Sequence, residues 1–230
     1  MHRRRSVIVR QTADGERLGV RRMVNDPAEL MAEIGKCGRN PRVVLEATYG
    51  WYWAADALAE AGAQVHLAHP LGVKGFTYRR VKNDVRDASD LADLLRMGRL
   101  PEAWIAPPAV RELREVVRHR AKLVNLRSGL KASVHAVLAK QGVHLPVSDV
   151  FGVHGRVLLA AAPLAKPYRA RVNSLCRLIE AYDWEIELAA KLVTQRLAHD
   201  PGYRVIQQLP GVGSGAGGGD GRRDRGGHPV

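Results

Sequence analysis

Two carboxylates three residues apart, Asp84 and Asp87, are the side chains whose type and spacing most directly indicate chemistry. They open a predicted helix in which Leu91, Leu94 and Leu95 form an apolar stripe. A spacing of three residues places both carboxylates on one side of that helix. Two interpretations stay open, because the pair could simply complement the helix dipole or could bind a divalent metal in a protein that cuts nucleic acid.

A third carboxylate, Glu46, ends a predicted buried strand at residues 41–46. Phosphodiester chemistry with two metals needs several carboxylates from separate elements, because Mg²⁺ prefers hard oxygen ligands in octahedral geometry. A single glutamate at a strand end is often an ordinary loop acid. Together with Asp84 and Asp87 it fits a ribonuclease-H-like site, so we predict that these three residues bind Mg²⁺ and are catalytic.

The elements that must position these carboxylates alternate between strands and helices. Strand, helix, strand and helix in this order imply a right-handed parallel crossover that follows an antiparallel hairpin. The predicted elements are a hairpin of strands 6–10 and 16–24, a helix from residue 27 to Gly35 or Gly38, the strand at 41–46, a helix at 51–61 and a strand at 64–68.

Two long helices are predicted beyond Pro101, at residues 109–141 and 168–199, each about 50 Å long at 1.5 Å per residue. We expect them to pair antiparallel as a coiled-coil arm. Arg120 and Arg127 interrupt the apolar stripe of the first helix. The predicted seam is Leu113, Val117, Val124, Leu130, Val134 and Leu138 in the first helix and Val172, Leu175, Ile179, Tyr182, Ile186, Ala189 and Val193 in the second.

The charge balance indicates a polyanionic partner. The sequence has 36 Lys and Arg against 23 Asp and Glu, a net charge of +13. Eight basic residues of the first arm helix face only Glu112 and Glu115, which fits either a solvated surface or contact with phosphates. The predicted nucleic-acid-binding residues are Arg79, Arg80, Lys82, Arg86, Arg118, Arg120, Lys122, Arg127 and Lys131.

Other residues with functional potential receive structural interpretations. Trp51, Tyr52 and Trp53 could stack on bases, although their helical spacing favours packing. His66 and His69 have no third metal ligand nearby in the sequence, so we do not predict a zinc site.

Cellular location is predicted from two simple features. No run of about 18 apolar residues exists, so we expect no membrane span and no membrane partner. Cys37 and Cys176 form no disulfide framework, and we predict reduced core thiols in a cytoplasmic protein.

The C-terminal part has two predicted segments. Ile206 and Leu209 lead into Pro210-Gly211-Val212-Gly213, which resembles the entry to a helix-hairpin-helix motif. The last 20 residues contain nine glycines and no apolar periodicity, so we predict a disordered tail.

Three ordered motifs resemble the DEDD-type transposases of insertion-sequence family 110 and their relatives among DNA invertases. The motifs are Leu45-Glu46-Ala47-Thr48-x-Gly50-x-Tyr52-Trp53, Val65-His66-Leu67-Ala68-x-Pro70 and Lys82-x-Asp84-x-x-Asp87-Ala88, and the resemblance extends over about residues 2–213. It implies a RuvC-like domain, a coiled-coil arm and a domain with a catalytic serine. It also implies oligomers that use Mg²⁺ and a structured guide RNA to cleave and transfer DNA strands. Glu46, Asp84 and Asp87 match the E, D and D of the family's catalytic tetrad.

The resemblance also has two departures. The family's first Asp precedes the segment that matches His2–Arg5, and its serine lies beyond the Pro-Gly-Val-Gly entry, so we expect a chain truncated at both ends and catalytically impaired. Ser214 is not a candidate for that serine. Two alternatives stay open, a non-catalytic nucleic-acid-binding protein and a junction-resolving nuclease.

The predicted fold class is α/β, with a ribonuclease-H/RuvC-like domain that lacks its first strand. Because that strand is normally central, we expect two unpaired strand edges. The predicted domains are residues 1–104 (RuvC-like), 105–200 (coiled-coil arm), 201–213 (start of the C-terminal domain) and 214–230 (tail).

Overall fold

The structure is a computed structural model that describes residues 3–76 and 83–209. The chain divides into two compact units, Met1–Ala106 and Pro107–Val230. The predicted motif entry at Pro210–Gly213 and the predicted tail lie outside the described residues.

The first unit opens with the predicted antiparallel hairpin. Strands β1 (Arg5–Gln11) and β2 (Arg17–Val24) pair in a register that sets Val9 opposite Val20. The turn between them uses Gly15 at a φ of 94°, a left-handed conformation that glycine adopts at little cost. Strand β1 forms around the consecutive β-branched residues Val7, Ile8 and Val9, and Met23 of β2 is buried in the core.

Helix α1 (Pro27–Ile34) begins where the sequence predicts it. The Asp26 side chain accepts a hydrogen bond from the Glu29 backbone N–H at 2.9 Å, and Pro27 occupies the first turn, where its missing N–H costs nothing. A 3-10 turn, Gly35–Cys37, follows. Cys37 is exposed there, so the prediction of a core thiol was wrong for this residue. The apolar face of α1 ends at Ile34, and the turn beyond it faces solvent.

A strand–helix–strand unit confirms the predicted parallel crossover. Strands β3 (Arg42–Glu46) and β4 (Gln64–Ala68) are parallel, with Arg42 opposite Gln64 and Glu46 opposite Ala68. Helix α2 (Trp51–Glu60) connects them and packs a face of small residues, Ala54, Ala55 and Ala57 with Leu58, into the same core. Within the described residues the strands form two separate two-stranded sheets, β1–β2 and β3–β4.

Helix α3 (Pro70–Lys74) is short, and helix α4 (Asp84–Arg96) contacts both β1 and β3. Leu94 and Leu95 are buried and Leu91 is half-buried, so the predicted apolar stripe of α4 is confirmed. Helix α4 therefore borders one strand of each sheet.

The second unit contains α5 (Pro108–Lys140), α6 (Val153–Ala161), α7 (Lys166–Leu197) and α8 (Pro201–Gln207). Two ion pairs fix the direction of the long helices. Arg196 near the end of α7 lies 2.7 Å from Glu112 near the start of α5, and Asp183 lies 2.5 Å from Arg127 further along α5. The predicted antiparallel pairing of the two long helices is confirmed, whereas coiled-coil geometry stays a prediction.

The seam between the long helices matches the prediction in α7 and differs in the first half of α5. All seven predicted positions of α7 are buried or half-buried. Val117 of α5 is 45% exposed, so its predicted seam position was wrong. The neighbouring Val116 is half-buried instead, whereas the other five predicted positions of α5 are buried or half-buried. The fully buried residues of α5 are Arg111, Leu123, Val134, Val137 and Leu138.

Helix α6 packs on the connection that precedes it. A Cβ atom added at Gly155 would clash with the Asp149 carbonyl oxygen and would lie 2.6 Å from the Val150 carbonyl carbon, so only glycine allows this approach. Leu159 and Val150 are part of the core of this unit. None of the helices in the described ranges is long and apolar enough to cross a membrane.

Candidate functional site

Glu46 is the last residue of β3 and is half-buried. The Thr48 backbone N–H donates to the Glu46 carbonyl at 2.7 Å, which turns the chain away from the strand. Gly50, at a φ of 77°, then begins α2. Among the described residues the Glu46 carboxylate has no hydrogen bond or ion pair, so its oxygens are available to a ligand.

Asp84 and Asp87 lie in the first turn of α4, as predicted. The Asn83 side chain caps this turn and accepts a hydrogen bond from the Val85 backbone N–H at 3.0 Å. Asp84 is half-buried and Asp87 is exposed. Both acids are in the position that the helix dipole favours, so the structure is compatible with either interpretation of the pair.

The end of α4 opposite these acids is well fixed. An Arg42 guanidinium nitrogen, at the start of β3, donates to the Leu95 carbonyl at 3.2 Å. The Arg96 guanidinium lies against Gly15 in the hairpin turn. Leu95 is eleven residues from Asp84, about 16 Å along a helix. Asp84 therefore lies about 16 Å along α4 from the contacts that fix the other end of this helix.

The three predicted carboxylates do not form a metal-binding group in the structure. Within residues 3–76 and 83–209, no three His, Cys, Asp or Glu side chains are close enough together to hold a metal ion. The oxygen donors have the chemistry that Mg²⁺ prefers. Their arrangement, however, is not that of an assembled site, and the roles of Glu46, Asp84 and Asp87 stay predictions.

The histidines and aromatic residues near these carboxylates have structural partners. His66 Nδ1 lies 3.1 Å from a Glu102 oxygen, and His69 accepts a hydrogen bond from the Gly72 backbone N–H at the start of α3. Trp51 and Trp53 pack against the core of the first unit, which confirms packing for these two rings.

The predicted nucleic-acid-binding residues fall into three groups. Arg79, Arg80 and Lys82 lie outside the described residues. The second group, which is exposed to solvent, is Arg86, Arg118 and Lys122, and the third group, which is half-buried in α5, is Arg120, Arg127 and Lys131.

Two of the half-buried residues have partners inside the second unit. Arg127 forms an ion pair with Asp183 of α7, and the Lys131 ammonium lies 4.8 Å from the centre of the Phe151 ring. These contacts tie α5 to its neighbours. Phosphate binding by Arg127 and Lys131 stays a prediction, and it would compete with these contacts.

Sequence reasoning missed a buried carboxylate, Glu33. Its side chain is 5% exposed and lies 2.7 Å from Lys36 and 3.4 Å from Arg10 of β1. The hydrogen bond from Lys36 lowers the pKa of Glu33, with help from the charges of Lys36, Arg10 and Arg21, while burial opposes the change. The sequence signal was weak, because only the spacing of Glu33 and Lys36 is local and Arg10 comes from another element.

Fold and site together define an α/β protein with carboxylates at a strand end and a helix start, and with a basic pair of long helices. A family model described as a transposase, of the DEDD type found in IS110 elements, matches residues 1–141. The match includes Glu46, Asp84 and Asp87, and it covers more than half of the chain. The chain therefore belongs to the IS110 family of DEDD transposases, and it is an insertion-sequence transposase. No curated protein matches it.

Proposed function

We propose that this transposase binds DNA, together with a structured guide RNA, for DNA strand cleavage and transfer. One observation carries the proposal of nucleic-acid binding. Arg114, Arg118 and Lys122 follow one another at intervals of four residues and are all exposed, which sets them in one row along α5. Helix α5 as a whole has eight basic residues against two acids. Such an excess of positive charge favours the binding of a polyphosphate such as DNA or RNA.

We also propose that the first unit has a ribonuclease-H-like fold. Support comes from the antiparallel β1–β2 pair, the parallel β3–β4 pair and the helix α4 that contacts both sheets. One further strand between β1 and β3 would join the two pairs into a single sheet. In such a sheet Glu46 and the first turn of α4 would border the same end.

Magnesium is the metal we propose for this site. The residues that would hold Mg²⁺ are Glu46, Asp84 and Asp87. When bound, the ion would stabilise negative charge on phosphate oxygens. Proteins often hold Mg²⁺ through one or two carboxylates plus substrate phosphates. We therefore propose that these carboxylates complete a site only when nucleic acid is bound.

The nucleic-acid-binding proposal is tested with the variant Arg114→Gln/Arg118→Gln/Lys122→Gln, the arm variant. If the unchanged chain makes six to ten phosphate contacts, raising the salt concentration from 50 to 200 mM should lower its affinity roughly 10³–10⁵-fold. Removal of three contacts should lower the slope of log affinity against log salt by about 2.7. Fluorescence anisotropy of labelled nucleic acid over a salt series measures both quantities.

The matched control removes three exposed charges elsewhere in the second unit, by Lys166→Gln/Arg171→Gln/Arg177→Gln, the control variant. We expect its affinity to stay within about threefold of the unchanged chain. An equal loss in the arm variant and the control variant would show a general charge effect and would contradict the proposal.

Catalysis is tested separately. We propose that residues 1–230 alone bind nucleic acid without joining strands, because the resemblance also implies a fourth carboxylate and a serine that Glu46, Asp84 and Asp87 do not supply. A strand-transfer assay with the purified chain, Mg²⁺ and guide RNA should give no recombinant product. Clear product would contradict this part of the proposal, and metal-dependent cutting of four-way junctions that Asp84→Asn abolishes would favour a junction-resolving nuclease.

We further propose that copies of the chain associate through the arm. Helix α7 has a second row of apolar residues, outside its seam with α5. The residues of this row, which include Ala181, follow one another at intervals of three or four. Its large members are exposed by 63% at Trp184, 47% at Leu178, 42% at Leu188 and 45% at Leu192. Analytical ultracentrifugation should show a dimer or larger oligomer that dissociates in Trp184→Ser/Leu188→Ser. A monomeric unchanged chain would contradict the proposal.

A further inference from the structure

The hairpin of the first unit is a strongly cationic surface that the proposed site does not use. We define residues 3–24 as the ribbon. It has seven arginines and two acids, Asp14 and Glu16, an excess of five positive charges. Among the described residues only one of these arginines, Arg10, has an ion pair, with Glu33. The other six are exposed, namely Arg3, Arg4, Arg5, Arg17, Arg21 and Arg22.

The two faces of the ribbon differ sharply. The register sets Ser6 opposite Met23 on the inner face, and both are buried. Because side chains alternate along a strand, the neighbouring positions form the outer face. On β2 this face presents aliphatic side chains that are 61% exposed at Leu18, 44% at Val20 and 57% at Val24. Arg22 lies between Val20 and Val24 on this face, so a cationic group stands among the aliphatic ones.

Charge decides what can cover this surface. A second copy of the ribbon would bring two sets of unpaired arginines together, and like charges at an interface cost free energy. A phosphate backbone has the opposite charge and pairs well with the planar guanidinium group. The occupant is therefore a nucleic acid rather than another copy of the chain.

The shape and composition of the ribbon favour duplex DNA among nucleic acids. The major groove of B-form DNA admits a two-stranded ribbon, whereas the major groove of A-form RNA is too narrow for side chains to read. Single strands are usually held by stacking on aromatic rings, and residues 3–24 contain no aromatic residue. Aliphatic side chains can contact the methyl group of thymine.

We propose that the ribbon docks on duplex DNA, with its exposed arginines on phosphates and the aliphatic side chains of β2 facing a groove. This inference rests on the proposed DNA binding of the chain. It adds a second contact surface, in the other compact unit from the row of basic residues on α5.

The test uses the full chain with Arg5→Gln/Arg17→Gln/Arg22→Gln, the ribbon variant. Arg21 is left unchanged because its charge acts on the buried Glu33. Affinity for a mixed-sequence duplex should fall about 100-fold at 0.1 M salt, and the salt slope should fall by about 2.7. The control variant should change affinity less than threefold. Thermal unfolding of all variants should be nearly unchanged, because substitutions at exposed positions alter stability little.

A crosslinking measurement locates the contact independently of affinity. A photoreactive benzophenone amino acid in place of Leu18 should crosslink to duplex DNA. The same amino acid in place of Val205, an equally exposed residue of α8, should not.

The outcomes separate this inference from the proposed function. An unchanged affinity in the ribbon variant, with a loss in the arm variant, overturns the ribbon inference alone. Equal or tighter binding to single-stranded DNA or duplex RNA, lost in the ribbon variant, overturns the choice of duplex DNA. If the unchanged chain binds no nucleic acid even at 50 mM salt, the proposed function fails as well.

Discussion

At the scale of single residues, the buried Glu33 and the half-buried Glu46 represent opposite situations. Glu33 is the one buried carboxylate of the described ranges, and its oxygens face Lys36 and Arg10. Glu46 ends a strand with no such partners there, and Asp87 is exposed. A carboxylate surrounded by cations stabilises the fold, whereas carboxylates without partners have free oxygens for ligands.

The stability of the first unit should depend on the charge of Glu33. Its pKa is lowered below the ordinary value of 4.5. Because the folded-state pKa is lower than the unfolded-state pKa, the charged carboxylate stabilises the fold at pH values above the unfolded-state pKa. This stabilisation is lost as the pH falls through the folded-state pKa. Glu33→Gln should lower the free energy of unfolding by roughly 1–3 kcal/mol at pH 7, because it removes charged hydrogen bonds.

Urea denaturation of Glu33→Gln at pH 7 and at about pH 3 measures this effect. The difference from the unchanged chain should shrink as the pH falls towards and through the lowered folded-state pKa of Glu33. Glu60→Gln, at an exposed position of α2, should differ little at either pH. A loss of stability that is the same at both pH values would contradict the role of the Glu33 charge.

Two ion pairs between the same helices allow a comparison of burial. Arg127 and Asp183 are 27% and 38% exposed, whereas Arg196 and Glu112 are 54% and 59% exposed. Asp183→Ala should cost roughly 1–3 kcal/mol, because it leaves a half-buried guanidinium without its partner. Glu112→Ala should cost about 0–1 kcal/mol, since exposed pairs contribute little. Thermal unfolding in low salt measures both, and equal costs would contradict the argument.

At the scale of elements, the sequence predicts best where the signals are local. Strand β4 was predicted with the observed limits because its apolar residues Val65, Leu67 and Ala68 lie between the breakers Gly62 and Pro70. Helix α5 was predicted within one residue at each end. The residues of α5 that contact α7 were harder to predict. Val116 and Val117 are adjacent and both apolar, and only the position of α7 decides which of the two is half-buried.

Gly155 provides a prediction about the packing of α6. Gly155→Ala should destabilise the second unit by about 1–3 kcal/mol, because its methyl group would overlap the backbone at Asp149 and Val150. Gly129→Ala is the matched control in α5, where an added Cβ meets nothing within 4 Å. That substitution should stabilise the helix by roughly 0.5–1 kcal/mol.

Chemical denaturation followed by circular dichroism compares the two glycine variants. Opposite changes in the midpoint are expected. If Gly155→Ala were as stable as Gly129→Ala, the close approach of α6 to the preceding connection would be wrong.

At the scale of the whole molecule, the candidate site was harder to predict than the elements that carry it. The sequence located Glu46 at a strand end and Asp84 and Asp87 in a first helical turn. Whether three carboxylates meet depends on how separate elements pack, and no local pattern contains that information. The ribbon was missed for a similar reason, because only the register reveals that its aliphatic residues share an exposed face with Arg22.

The response to magnesium should reflect an unassembled site. Mg²⁺ alone should raise the melting temperature by less than about 1 °C, because a ligand stabilises only through the sites it occupies. With duplex DNA present, Mg²⁺ should increase DNA affinity, and Asp84→Asn should abolish that increase. Glu60→Gln should retain it. A large thermal shift with Mg²⁺ alone would show that the ligands are already assembled.

The antiparallel pairing of α5 and α7 has a consequence for how the arm can change in length. Residues of one helix are paired with particular residues of the other, as the ion pairs Glu112–Arg196 and Arg127–Asp183 show. An insertion in one helix alone would shift the residues beyond it away from their partners in the other helix. Insertions of seven residues at facing levels of both helices would preserve the seam and lengthen the arm by about 10 Å. The two long helices can therefore be lengthened together in discrete, paired steps, but not one at a time.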